Sequence, residues 1–126
     1  MPTLFDRIRI GVLELLNRIL MAPMTRSRAQ ADGVPQPYVA DYYAQRASAG
    51  LILSEAIYVS HMAKGYVRTP GLVTPEHVSA WRTITEAVHE KHGRIFAQLY
   101  HTGRVALPQW LPGGALPTIS SLPAAS

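Results

Sequence analysis

The chain has 126 residues, of which 48% are hydrophobic and 16% charged, a composition that suits one globular domain with a hydrophobic core. It contains no cysteine, which excludes disulfide bonds, thiolate metal sites and a cysteine nucleophile, and fits a cytoplasmic location. Charged and amide side chains interrupt the apolar stretch between residues 10 and 24. We therefore expect no secretory signal and no membrane partner.

The net charge of +4 and the pI near 9.8 are compatible with nucleic-acid binding. The twelve basic residues are distributed among the eight acidic ones, however, and the densest basic cluster is only Arg26 and Arg28. Such a dispersed pattern does not form the continuous basic surface that binds a phosphate backbone. We therefore expect no nucleic-acid partner.

The first part of the chain predicts a hairpin, a short strand and a loop. Residues 7–15 alternate in polarity with Gly11 in the middle, which is typical of a β-hairpin. Residues 19–22 are apolar and precede Pro23, as expected for a buried strand that ends there. Residues 26–33 are polar and predict a loop.

A helix and a buried strand are predicted next, with no linker between them. Pro35 and Pro37 fit the first turn of a helix, where the missing N–H has no cost, and Gly50 fits its C-cap. The apolar positions of this helix recur at Val39, Tyr42, Tyr43 and Ala47. The strand over residues 51–57 follows directly and is predicted to be buried on both faces, as in a parallel sheet.

Residues 58–73 predict a long loop, and the clearest helix start of the chain follows it. Thr74 is a good N-cap, Pro75 fits the first helical position, and Glu76 faces the positive end of the helix. The predicted apolar stripe of this helix consists of Val78, Trp81, Ile84 and Val88.

The sequence also predicts where this helix ends and which elements follow it. Lys91 and His92 are expected in the last helical turn before Gly93, because cations favour the negative end of a helix. Residues 94–100 predict a third strand, and the proline-rich residues 108–126 predict a loop or tail. His89 and His92 lack the i,i+4 spacing of a helical zinc site, so we expect no metal.

Strands that alternate with helices predict an α/β fold with a parallel sheet and right-handed crossovers. Two architectures fit this order of elements. One is a small open three-layer sheet, and the other is an N-terminal hairpin plus the first three strands of a (β/α)8 TIM barrel. The periodicity of the sequence does not distinguish between them.

Three long motifs resemble the Old Yellow Enzyme family of FMN-dependent NAD(P)H oxidoreductases. They are residues 17–26 (NRILMAPMTR), residues 42–55 (YYAQRASAGLILSE) and residues 96–104 (FAQLYHTGR), and the likeness extends over residues 3–115. The resemblance implies a TIM barrel with FMN at its C-terminal mouth and a hairpin closing the bottom. A complete barrel needs roughly 200 residues or more, so residues 1–126 are expected to be the N-terminal part of one FMN-binding domain.

The resemblance assigns flavin contacts to two strand ends. The backbone of Pro23 and Met24 would pack on the isoalloxazine, and the Thr25 hydroxyl would bond the flavin C4 carbonyl and tune the reduced ring. Ala56 matches a position where a small residue lets the backbone approach the flavin. The alternatives are that Thr25 caps a turn and that Ala56 is simply packed in a small space.

The third strand carries a further predicted flavin contact. If its aliphatic face, Ile95, Ala97 and Leu99, meets the helices, then Gln98 points into the barrel. The resemblance implies that the Gln98 amide bonds the pyrimidine edge of the flavin; the alternative is an amide that bonds only protein backbone. Tyr66 and Tyr100 match positions that line the substrate pocket, although many relatives carry tryptophan where Tyr100 stands.

The implied reaction has two steps, in which NAD(P)H reduces FMN and the flavin then reduces the C=C bond of an α,β-unsaturated carbonyl or nitro compound. In the family the substrate clamp, the proton donor and the phosphate grip come from later strands. We therefore expect this chain to supply only part of the flavin site. The alternative is a truncated, inactive fragment that self-associates through open strand edges or acts only with a complementary chain.

Overall fold

The computed structural model describes residues 1–114, which form a hairpin, a three-stranded sheet and two helices. The strands are β1 (Ile8–Ile10), β2 (Leu13–Leu15), β3 (Leu20–Met21), β4 (Leu51–Tyr58) and β5 (Ile95–Tyr100), and the helices are α1 (Tyr38–Ala44) and α2 (Pro75–His89). Short 3₁₀ turns lie at His61–Ala63, Gly103–Val105, Pro108–Trp110 and Pro112–Gly114. The rest of the loop or tail predicted over residues 108–126 lies outside the described residues.

The topology has the predicted alternation of strands and helices. β1 and β2 form an antiparallel hairpin, and Gly11 in its turn has a φ of +59°, a conformation that favours glycine. β3, β4 and β5 lie side by side in sequence order, and both neighbouring pairs are parallel. The carboxyl ends of these three strands therefore share one edge of the sheet.

The hydrophobic core lies between the parallel sheet and the two helices. Its buried members are Val39, Tyr43, Ala47, Ile52, Ile57, Trp81, Ile84 and Val88. Trp81 also satisfies its indole N–H by donating to the Gly71 carbonyl at 3.0 Å. Each large apolar side chain buried in this layer contributes about 1.5–3 kcal/mol to folding.

A β-bulge in β4 is a feature that the sequence analysis did not predict. Between the pairs Leu53–Phe96 and Ala56–Gln98, two residues of β4 lie opposite one residue of β5. The Ser54 hydroxyl accepts the backbone N–H of Gln98 at 3.1 Å and donates to the Glu55 carbonyl at 2.8 Å. The bulge is thus closed by a side chain, and the β4 strand extends past Ala56 to Tyr58.

Gly50 does not cap α1, and this prediction was wrong. The helix ends at Ala44, and Gly50 instead donates its N–H to both the Ile19 carbonyl and the Asn17 side-chain oxygen, each at 2.8 Å. A Cβ on Gly50 would lie 2.3 Å from the Asn17 carbonyl oxygen. The glycine is therefore required by close approach of two backbone segments.

The start of α2 was predicted correctly, as were three of the four positions of its buried stripe, Trp81, Ile84 and Val88, whereas its end was not. Thr74 is the N-cap and Pro75 follows it, but Val78 is 46% exposed. The buried position is its neighbour His77, because the buried stripe runs from residue 77 through Trp81. The helix ends at His89, so Lys91 and His92 lie beyond its last turn.

His77 is almost completely buried and joins α2 to two loops. Its Nδ1 accepts the backbone N–H groups of Val73 and Thr74 at 3.1 and 3.2 Å. A nitrogen that accepts two donors carries no proton, so Nε2 is protonated and donates to the Asp32 carbonyl at 3.1 Å. This side chain therefore has a structural role.

None of the helices in residues 1–114 is both long enough and apolar enough to cross a membrane.

Candidate functional site

The predicted site residues lie along the edge of the sheet where the parallel strands end. The segment from Pro23 to Thr25 follows β3 directly, and Ala56 lies near the end of β4. Ala56 and Gln98 are register partners in neighbouring strands, so their side chains project from the same face of the sheet. The structure therefore brings these two residues together, with Ala56 on the strand between Gln98 and β3.

The contacts of Ile95 and Ala97 agree with the predicted face assignment of β5, whereas Leu99 on the same face is 57% exposed. Ile95 and Ala97 line a small cavity against Trp81 and Thr85 of α2. Alternation along the strand then directs Phe96, Gln98 and Tyr100 away from the helices, towards the interior that a barrel would have. Phe96 on this face is 47% exposed.

The Thr25 hydroxyl is exposed and makes no hydrogen bond with the described backbone and side chains of residues 1–114. Its neighbour Met24 is also exposed. The alternative, in which Thr25 caps a turn, is therefore supported by no hydrogen bond in the described part of the chain. The hydroxyl is free to donate to, or accept from, a group outside residues 1–114.

The Gln98 side chain on β5 also lacks a hydrogen-bond partner. Its backbone N–H bonds Ser54, but its exposed side-chain amide makes no hydrogen bond with the described backbone and side chains of residues 1–114. The alternative that the amide bonds protein backbone therefore has no support within that range. A hydroxyl and an amide without protein partners fit the polar edge of a planar heterocycle that carries carbonyl and N–H groups, as an isoalloxazine does.

A buried ion pair joins the segments that carry Thr25 and Ala56, and sequence reasoning missed it. Arg26 Nη2 forms a salt bridge with the Glu55 carboxylate, and the two side chains are 14% and 5% exposed. The backbone N–H of Arg26 also lies 3.5 Å from the second carboxylate oxygen of Glu55. The two residues are 29 positions apart, so only the motifs that contain them could have drawn attention to them.

Two tyrosines of the α1 helix surround this ion pair. The Arg26 guanidinium lies 3.9 Å from the ring centre of Tyr42, and the Arg46 guanidinium lies 4.0 Å from the same ring. The Tyr43 hydroxyl accepts the backbone N–H of Glu55 at 2.8 Å. Burial raises the pKa of Tyr43 from its ordinary 10.0 to about 12, so this phenol stays neutral at physiological pH.

The predicted pocket residues Tyr66 and Tyr100 are connected through Thr69. The Tyr100 hydroxyl donates to Thr69 Oγ1 at 3.3 Å, and Thr69 Oγ1 donates to the Tyr66 carbonyl at 3.1 Å. Thr69 is completely buried, whereas the Tyr66 side chain is 51% exposed. The structure therefore fixes the Tyr100 ring beside the loop that carries Tyr66.

Within residues 1–114, no group of three or more His, Asp or Glu side chains is placed to hold a metal ion.

Residues 3–112 match the model of the NADH:flavin oxidoreductase / NADH oxidase family. The chain is 43% identical over 114 residues to 12-oxophytodienoate reductase 1 of Oryza sativa subsp. japonica, covering 90% of the chain and 30% of that relative. It resembles the structure of morphinone reductase in complex with tetrahydroNAD with a TM-score of 0.88 and 50% identity, covering 93% of the chain and 32% of that structure.

An old yellow enzyme homologue from Zymomonas mobilis is also similar. The identity is 51% and the TM-score 0.83, over 86% of the chain and 31% of the homologue. The chain spans about three tenths of the length of the curated relatives that it matches.

Proposed function

Since the chain belongs to the NADH:flavin oxidoreductase / NADH oxidase family, as its three motifs predicted, we propose that it supplies part of the flavin site of an FMN-dependent ene-reductase. Proteins of this family use FMN together with NAD(P)H. The hairpin and the strands β3 to β5 would be the start of a (β/α)8 barrel, and the matched structures are barrels of which the chain spans about a third.

The observation that carries this proposal is the pair of unpartnered polar groups at the sheet edge. The Thr25 hydroxyl and the Gln98 amide have no bonds to residues 1–114, and both lie where barrel enzymes hold their ligands. Thr25 would donate to the C4 carbonyl of the flavin, and Gln98 would bond the pyrimidine edge. The backbone at Pro23, Met24 and Ala56 would pack against the ring.

FMN held by these residues would supply hydride transfer from NAD(P)H to the β-carbon of an alkene conjugated to a carbonyl or nitro group, while the α-carbon would take its proton from a donor on the later strands. The contribution of this chain is to hold the ring and to stabilise its reduced form through Thr25. Tyr66 and Tyr100 would line the pocket for the small-molecule alkene above the flavin. Their connection through the buried Thr69 supports a shared role in that pocket.

A hybrid barrel tests this proposal, with residues 1–114 in place of the matching segment of morphinone reductase. We expect the hybrid to purify with FMN, to be bleached by NADH without oxygen, and to regain its absorbance when an α,β-unsaturated ketone is added. A hybrid that unfolds cooperatively but retains no flavin would contradict the proposal.

Thr25→Ala in this hybrid should slow flavin reduction about tenfold or more, because a hydrogen bond to a group gaining charge is worth about 1.5–3 kcal/mol.

A second candidate is that the chain itself is an inactive fragment that self-associates or needs a complementary chain. The support is that β3 and β5 are the two edges of the described parallel sheet, and that Phe96 and Leu99 on β5 are 47% and 57% exposed. Open edges and uncovered apolar side chains favour association. Light scattering and FMN titration of the isolated chain test this candidate: we expect oligomers and weak FMN binding, and a monomer that binds FMN stoichiometrically would contradict it.

A further inference from the structure

The Arg26–Glu55 ion pair lies directly between two segments assigned to the flavin. Arg26 follows Thr25 in the chain, and Glu55 precedes Ala56. The salt bridge therefore ties the loop after β3 to the bulge of β4 at the positions next to the proposed flavin contacts.

Stability alone does not explain such a pair. Replacing a buried ion pair by apolar side chains is often neutral or stabilising, because desolvation offsets the attraction between the charges. Arg26 Nε is also buried and has no hydrogen-bond partner in residues 1–114. What a buried ion pair supplies better than apolar packing is a fixed direction and distance.

Glu55 is held rigidly by its own surroundings. Its backbone N–H donates to the buried Tyr43 hydroxyl, and its carbonyl accepts the Ser54 hydroxyl that closes the bulge. The Glu55 side chain then contacts Arg26 at two points, namely the guanidinium and the backbone N–H. Glu55 thus fixes the main chain beside Thr25 as well as the Arg26 side chain.

We infer that Arg26 and Glu55 are positioning residues that set where the Thr25 hydroxyl meets the flavin. This inference rests on the proposed function. Neither residue would contact the flavin itself, and both act through the main chain at Thr25. Stacking of Arg26 on Tyr42, at 3.9 Å, also links the guanidinium to α1.

A double-mutant cycle with Thr25 tests the inference in the flavin-loaded hybrid barrel. Glu55→Gln keeps the shape of the side chain and removes its charge, and Thr25→Ala removes the proposed donor. We expect each single change to shift the vibrational band of the flavin C4 carbonyl to higher frequency, and Thr25→Ala to lower the flavin midpoint potential. In the Thr25→Ala background, Glu55→Gln should produce no further shift of the carbonyl band.

The matched control is Glu14→Gln, since Glu14 forms a salt bridge with Arg7 in which both side chains are more than half exposed. This variant should leave the potential and the carbonyl band unchanged. If Glu55→Gln lowers only the melting temperature, or if its effect on the carbonyl band adds fully to that of Thr25→Ala, the inference is wrong.

Arg26→Lys provides a second variant if Glu55→Gln does not fold. Lysine keeps the charge but loses the planar guanidinium, so we expect a smaller shift of the carbonyl band in the same direction. An unshifted band in a folded, flavin-loaded Arg26→Lys protein would overturn the inference. A folded hybrid barrel with the unsubstituted residues 1–114 that binds no flavin would instead contradict the proposed function.

Discussion

The Tyr43 hydroxyl oxygen lies 2.8 Å from the backbone nitrogen of Glu55 and accepts its N–H. This bond connects α1 to the bulge of β4, where the sheet itself provides no regular ladder partner. Because Tyr43 is 1% exposed and Glu55 4% exposed, no solvent can replace the acceptor. The bond therefore fixes the bulge relative to the helix layer.

Tyr43→Phe should lower the free energy of unfolding by about 1–3 kcal/mol, because it leaves the buried N–H of Glu55 without an acceptor. Denaturant unfolding of both proteins measures the difference. Tyr38→Phe is the matched control, since the exposed Tyr38 hydroxyl donates to the Arg28 carbonyl at 3.3 Å, where water can replace it. Equal effects of the two substitutions would contradict the role given to Tyr43.

Alkaline pH should destabilise the fold through two buried phenols. Burial raises the pKa of Tyr43 and of Tyr58 from 10.0 to about 12. The folded state therefore binds these protons more tightly than the unfolded state, and the associated stability is complete below pH 10 and lost as the pH rises through 12. We expect the free energy of unfolding to fall by at most about 1.4 kcal/mol per pH unit for each phenol in that window.

Two substitutions separate the contributions of these phenols. Tyr43→Phe and Tyr58→Phe should each remove one late-ionising group from the ultraviolet titration of phenolate, and each should reduce the slope of stability between pH 10 and 12. A titration in which all phenols of the folded protein ionise together near pH 10 would contradict the assignment.

Gly50→Ala should destabilise the fold more than Gly11→Ala. The new methyl at position 50 meets the Asn17 carbonyl oxygen at 2.3 Å, and backbone cannot rotate away as a side chain can. We expect a loss of about 3 kcal/mol for Gly50→Ala. At Gly11 nothing lies within 4 Å, so only the φ of +59° opposes alanine, at about 1 kcal/mol. Thermal unfolding of both variants measures the two losses of stability. A larger loss for Gly11→Ala than for Gly50→Ala would show that the structure around Gly50 relaxes easily to accept a methyl group.

The local features of the fold could be predicted because they are encoded in neighbouring residues. Thr74 and Pro75 define the start of α2 by their own chemistry, and the alternation along β5 defines its two faces. Gly50 shows the limit of such reasoning. A glycine after a helical pattern suggests a cap, but close approach of Asn17, which is distant in the sequence, is what requires it.

The features that were missed depend on contacts between distant segments. Periodicity cannot reveal a bulge that one hydroxyl closes, as Ser54 does against Gln98, which lies 44 positions away. His77 has no apolar signal, and its burial follows from partners in two loops. The individual flavin contacts were predicted only through resemblance, because a lone threonine or glutamine carries no signal of its ligand.

Gln98→Leu should weaken FMN binding without weakening the apoprotein. The Gln98 side chain makes no hydrogen bond with residues 1–114, so its loss should change the free energy of unfolding by no more than about 0.5 kcal/mol. In the flavin-loaded barrel, leucine would leave the polar pyrimidine edge of the flavin without a partner. An unsatisfied polar group costs about 1–3 kcal/mol, so the dissociation constant of FMN should rise about tenfold or more.

Gln45→Leu is the matched control for this substitution, because it removes an exposed amide at the C-terminal end of α1, away from the sheet edge. Fluorescence titration of the flavin-free proteins with FMN should give the wild-type dissociation constant for the control and a raised one for Gln98→Leu. Since Gln98 shares its face of the sheet with Ala56, a raised constant would support flavin binding at this edge. Full flavin occupancy with an unchanged constant would mean that the face carrying Gln98 does not meet the flavin.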